Sequence, residues 1–238
     1  MQKEGDLGLS PLLSWVQENT LVLLLAAGTI FNAVWLTVNR DRLHIKTGSI
    51  IIMAVLHTII GVCCVKVFAV AESGFDMSAA GNMSLFGGVF FMPLFYFIFA
   101  KLTKRNMADV FDVFTVCIVF TLMCARVNCI LSGCCLGALI NSSGVRWPTR
   151  EAEVLFYAVL FIVLVIKLKR GKYIRGTLYP LYMLAYGIFR FICEWFRVAE
   201  GSSLLHLGHV WAVISIAIGL SVYLELKNRE NKKRGMRK

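Results

Sequence analysis

Charge is scarce in this chain. Of its 238 residues only 16% are Asp, Glu, Lys or Arg, and acidic residues number 14. A water-soluble domain of this length needs a solvated polar shell, and so little charge excludes one. Hydrophobic residues make up 58% of the chain and the mean hydropathy is +0.72. Several apolar runs approach twenty residues, the length that crosses a bilayer as a helix. The shortage of acids leaves a net charge of +11. Nucleic acid is not the expected partner, because the basic residues lie between apolar runs and at the C-terminus. There they answer to anionic headgroups and to topology. A basic leader is also missing: Lys3 is followed at once by Glu4 and Asp6 before the first apolar run, so no cleaved secretory signal is expected. The eight cysteines lack the spacing of a secreted disulfide framework. Cys63, Cys117 and Cys124 fall inside apolar runs and read as small hydrophobes packed in the interior.

What is present is an all-α integral membrane protein of about seven transmembrane helices. The spans are expected at Thr20–Val38, Ser49–Ala71, Leu85–Ala100, Ala108–Cys124, Glu153–Leu168, Thr177–Phe196 and Gly208–Leu226. They form one transmembrane domain over residues 1–226. Residues 1–18 are an acidic, amphipathic start expected to lie along the interface as a short helix, and 227–238 are a basic tail. Lys and Arg crowd the first, third and fifth loops and the tail, whereas the second loop carries Glu72 and Asp76 and no basic residue. The N-terminus is therefore expected outside and the C-terminus in the cytoplasm.

That orientation makes certain cations conspicuous. Ala125–Gly137 places Arg126, Asn128, Cys129, Cys134, Cys135 and two glycines at the outer end of the fourth span. A charge at membrane depth is costly and marks a functional site by default. The stretch reads as irregular backbone lining an internal cavity. In the sixth span Arg190, Glu194 and Arg197 follow one another at i,i+4 and i,i+3 on one helical face. A self-neutralising ion pair accounts for Glu194 and Arg197 as well as a binding role does. Arg126 and Arg190 leave two guanidiniums for that one nearby carboxylate, an excess that an anionic ligand, above all a phosphate, settles.

Other polar groups carry blander readings. Cys129 pairing with Cys134 or Cys135, or plain packing, outweighs catalysis, and with no histidine nearby no metal is expected. With no partner in view for Cys134 and Cys135, replacing both is expected to leave activity mostly intact. Asp109 and Asp112 complement the dipole at the start of the fourth span. His57 reads as hydrogen-bonded packing.

Three motifs together resemble the prolipoprotein diacylglyceryl transferase family. These are Arg126–Gly137, the turn Met83-Ser84-Leu85-Phe86-Gly87-Gly88 before a short span, and Tyr186-Gly187-x-Phe189-Arg190-x-x-x-Glu194-x-x-Arg197. The resemblance covers roughly residues 20–226. It implies transfer of a diacylglyceryl group from phosphatidylglycerol to the lipobox cysteine of a lipoprotein precursor, in the bacterial cytoplasmic (inner) membrane and without a cofactor. It assigns Arg126 and Arg190 as catalytic. Substrate binding then falls to those two arginines with Gly87, Gly88, Asn128, Gly137, Glu153, Glu194 and Arg197. The family's Gly-rich turn commonly carries a histidine where this chain has Phe86, its central asparagine is here Cys129, and a first-span tyrosine expected near Val22 is absent. The fold expectation is untouched by this, but the best general base is gone.

Three functions remain in play at this level. The first is the transferase. The second is a non-catalytic relative that binds anionic lipid as a scaffold or accessory factor, which Phe86 favours. The third is a thiol redox protein built on Cys129, Cys134 and Cys135.

Overall fold

The computed structural model describes residues 10–140, 144–197 and 207–236. Its helices are α1 (Ser10–Val38), α2 (Arg40–Leu43), α3 (Thr47–Glu72), α4 (Phe86–Leu102), α5 (Met107–Leu131), α6 (Thr149–Arg170), α7 (Leu178–Glu194) and α8 (Leu207–Gly235). Each of the seven expected spans is one long helix, with the single-turn α2 in the first connection. Four helical stretches (Glu18–Val38, Thr47–Glu72, Met107–Leu131 and Leu207–Gly235) are long and apolar enough to cross a membrane. The chain is an all-helical, multi-pass membrane protein.

Helix limits follow from local chemistry. The Asn106 side chain accepts hydrogen bonds from the Ala108 and Asp109 N–H groups at 3.0 and 3.4 Å, an N-cap that starts α5. α6 ends on Gly171 at φ +64°, a left-handed cap, after a last turn carrying Lys167, Lys169 and Arg170. Two limits differ from expectation. α1 runs unbroken from Ser10, so residues 10–18 continue the first span's helix. α5 runs on to Leu131, because Cys129-Ile130-Leu131 keep the segment apolar. Arg126 and Asn128 therefore stand on regular helix, and irregular backbone begins only at Ser132.

α5 is the axis of the bundle. In its apolar stretch 67% of residues are buried, against 22% in α1 and in α8. It packs against α1, α4, α6 and α7. α7 and α8 form a close hairpin at Gly187 and Gly219: a Cβ on Gly187 would come within 2.8 Å of the Ala212 carbonyl, and one on Gly219 within 2.9 Å of the Pro180 carbonyl.

At the end expected to face the cytoplasm, two acids do more than complement a dipole. Asp112 accepts the Gly176 and Leu178 N–H groups at 2.8 and 3.1 Å, fixing the entry into α7. Asp109 takes Arg42 Nε at 2.7 Å, and the same guanidinium donates to the Tyr173 hydroxyl at 2.6 Å. Within the bundle His57 is buried between Asn32 (3.2 Å) and Tyr96 (3.0 Å), the packing role expected of it. Cys117 and Cys124 are buried as expected. Cys63 instead faces outward, where a thiol suits lipid as well as it suits a core.

Candidate functional site

The opposite end of the bundle gathers the charges. α5 brings Arg126, α6 brings Glu153, and α7 brings Arg190 and Glu194 with Arg197 just beyond. Glu153, four residues into α6, is 3% exposed and is the hub. Its Oε2 lies 2.6 Å from Arg126 Nε, and its Oε1 lies 2.5 Å from Arg190 Nη1 and 3.5 Å from Arg197 Nη1. Arg190 also reaches Glu194 at 2.9 Å. The Glu194 carboxyl rests against Gly208 in the first turn of α8, the positive end of that helix. The expected face of α7 is thus present, but its principal carboxylate comes from α6. Three guanidiniums share Glu153 and Glu194, and Glu72 at the end of α3 lies close enough to Arg190 and Glu194 to act on both electrostatically. The Arg190 Nε has no hydrogen-bond partner among the described residues.

The walls are aromatic. The ring of Phe86 lies under Arg190, and Tyr186 meets Phe86 edge-on at 5.5 Å. Tyr157, Tyr182 and Tyr186 are buried with hydroxyls that have no hydrogen-bond partner among the described residues. A buried, unpaired hydroxyl is costly, so the two beside the charge cluster, those of Tyr157 and Tyr186, suit a polar ligand. Sequence reasoning placed Tyr186 in the sixth-span motif but missed Tyr157 and Tyr182; tyrosines four apart at 182 and 186, on the helix of a membrane arginine, were the available signal for the latter.

Of the two glycines of the short-span turn, Gly87 is tightly placed and Gly88 has ordinary contact distances around it. A Cβ on Gly87 would collide with the Cys64 carbonyl. The Gly88 and Val89 carbonyls accept the Tyr179 hydroxyl at 3.3 and 2.8 Å. Gly137 closes the motif by pairing with Arg197 in an antiparallel bridge, next to the Ala138 N–H donation to the Phe196 carbonyl at 2.9 Å. A Cβ there would strike the Trp147 carbonyl, and Arg146 donates to the Gly137 carbonyl at 3.1 Å. The half-buried Asn128 accepts the Ser132 N–H on its carbonyl at 2.8 Å, closing α5. Every site residue expected from sequence therefore lies at this end, with Gly88 on the side toward the core.

The thiols also converge. The sulfurs of Cys129, Cys134 and Cys135 all lie within 4.8 Å of one another. All eight cysteines are free thiols, so the Cys129 pairing considered from sequence is not formed. Hydrogen bonding from Cys129 and the positive Arg126 and Arg197 hold the Cys135 thiol far below the ordinary thiol range.

Comparison with known proteins decides the family. The sequence profile of the prolipoprotein diacylglyceryl transferases matches residues 19–224. The chain belongs to that family. Its relatives include the phosphatidylglycerol–prolipoprotein diacylglyceryl transferases of Pasteurella multocida, 30% identical over 171 residues, and of Campylobacter curvus, 26% identical over 158. The matched parts cover 65% and 61% of this chain, and 63% and 58% of those two relatives. The chain thus aligns with somewhat under two thirds of their length. The resemblance carried by the three motifs is thereby confirmed at the level of the family.

Proposed function

We propose that the protein transfers a diacylglyceryl group from phosphatidylglycerol to the cysteine thiol of a lipoprotein precursor, as the names of its relatives state for them. The supporting observation is the convergence of three guanidiniums, Arg126, Arg190 and Arg197, on the single buried carboxylate of Glu153 at one end of the bundle. A lipid phosphate placed there meets planar, multidentate donors in a low-dielectric setting, which favours the charge developing on a phosphate leaving group. An apolar cleft of about 190 Å³ adjoins it, between α6 and α7 at Ala152, Phe189 and Phe196. A larger apolar cleft, of about 470 Å³, lies toward the other end of the bundle, from Val89 and Phe90 past Pro93 and Tyr179 to Leu226.

On this reading all seven long helices cross the bacterial cytoplasmic membrane, N-terminus outside and C-terminus inside. Residues 1–226 are the membrane domain and 227–238 a cytoplasmic tail. Arg126 and Arg190 grip the phosphate, and Arg197 and Glu194 hold the rim. The acceptor sulfur attacks the glyceryl carbon, the carbon–oxygen bond to phosphate breaks, and glycerol phosphate departs.

Phe86 favours the second reading, a lipid-binding relative without catalysis, since it stands where the family commonly has a histidine. One experiment separates them: complementation of a strain depleted of its own diacylglyceryl transferase, with mass spectrometry of a reporter lipoprotein. Mass gain on the reporter cysteine supports the transferase. Phosphatidylglycerol binding without mass gain supports the second reading.

A further inference from the structure

The expectation that Cys134 and Cys135 are dispensable rested on their having no partner. The fold supplies partners. Cys129 sits in the last turn of α5, and the chain then doubles back through Gly133 at φ +70° and Cys135 at φ +54°. A non-glycine residue in the left-handed region is strained and persists only where its surroundings demand it. The result is the group of three sulfurs within 4.8 Å, with Ser132 Oγ 3.4 Å from Cys134 Sγ. Three thiolates on a tetrahedral zinc, each at about 2.3 Å, stand about 3.8 Å from one another, a small contraction of this arrangement. Among the described residues no His, Asp or Glu joins the set as a fourth ligand. Cys134 is exposed, so the fourth direction is reachable from outside the bundle.

The second observation is Arg126. Its Nη1 lies 3.9 Å from Cys129 Sγ while its Nε lies 2.6 Å from Glu153. One guanidinium thus borders both the thiol group and the charge cluster. It also offsets the net negative charge that three thiolates and a divalent ion carry.

We infer that Cys129, Cys134 and Cys135 bind a divalent ion of the zinc class and leave one coordination position for the thiol of the acceptor cysteine. This rests on the diacylglyceryl-transfer reading and answers the question Phe86 raises, namely what removes the acceptor's proton. A thiol that coordinates such an ion is deprotonated outright. The proton goes to water at the exposed Cys134 side. The bound thiolate forms the bond to the glyceryl carbon, and the phosphate leaves with the electron pair toward Arg126 and Arg190.

Cobalt(II) is the probe, because thiolate coordination gives it near-ultraviolet charge-transfer bands and its visible bands report geometry. The full-length reduced protein in detergent is titrated with Co²⁺, then with a short peptide carrying one cysteine, or its serine counterpart. The expected result is one equivalent bound with thiolate bands, displaced by Zn²⁺. The visible bands shift with the cysteine peptide only, and binding falls at least tenfold in Cys134→Ser and Cys135→Ser but not in Cys63→Ser. No stoichiometric binding, binding unaffected by either substitution, or bands unmoved by the cysteine peptide overturns the inference. None of these readings requires turnover. A coordinated thiol with no lipid transfer in the complementation strain sinks the transferase reading and leaves the metal site standing, while transfer without metal does the reverse.

Discussion

The guanidinium carbon of Arg190 stands 5.7 Å above the centre of the Phe86 ring. A histidine here would add a polar group beside a cation already held by two carboxylates. The phenyl ring instead presents its electron-rich face. Phe86→Leu keeps an apolar side chain and loses that attraction, about 0.5–2 kcal/mol, together with the ring contacts to Phe68, Phe90 and Tyr186. Phosphatidylglycerol binding, measured on vesicles, is expected to weaken about two- to thirtyfold with protein yield unchanged.

Arg190→Ala removes a charge-assisted pair to the ligand. We expect loss of about 1.5–3 kcal/mol, roughly ten- to a hundredfold in lipid affinity or transfer rate. Lysine restores only part, since it keeps the charge without the planar fork. Unchanged lipid binding in a variant of normal yield counts against a phosphate grip.

Glu153→Ala is expected to be the most damaging single change in the cluster, costing about 3–5 kcal/mol, because it leaves buried guanidiniums without their shared counter-charge. Glu194→Ala should cost less, its carboxylate touching Arg190 alone among the three arginines. Thermal unfolding in detergent ranks the two. Equal losses would mean that Glu153 is not the hub.

Asp112→Ala strips two backbone N–H groups at the start of α7 of their acceptor. About 1–3 kcal/mol of destabilisation is expected, with lipid affinity preserved in whatever protein folds. Asp112→Asn should lose less, because its amide oxygen still accepts one of the two.

Orientation is tested directly. A reporter fused after Leu226 should lie in the cytoplasm, and one inserted at Gly144 outside. Both on one side would remove the seven-span arrangement.

Much of this molecule was legible in the sequence because hydropathy and charge are written along the chain. The seven helical segments, the buried His57 and the shared face of Arg190 and Glu194 depend only on local period. What escaped depends on which helix meets which. Glu153 looked like one acid near the start of a helix until packing set it between α5 and α7. Asp112 looked like a dipole partner until the α6–α7 turn folded onto it. The three cysteines looked unpartnered because their meeting needs two left-handed residues, Gly133 and Cys135, that no periodicity announces. The end of α5 was placed seven residues early, at Cys124 rather than Leu131, because the arginine was taken for the end of the apolar run.

The tie between Glu153 and Arg190 spans 37 residues, and this fixes an order of events during synthesis. The carboxylate leaves the ribosome first, with α6, and the arginine follows with α7, itself clamped to α8 through Gly187 and Gly219. Arg190 and Arg197, added late, therefore meet a counter-charge that is already waiting, while Arg126 on α5 is the one guanidinium of the three that precedes it. A chain with Glu153 and Arg190 exchanged would hold the same pair at the end, yet two arginines instead of one would wait for α7 to bring their carboxylate.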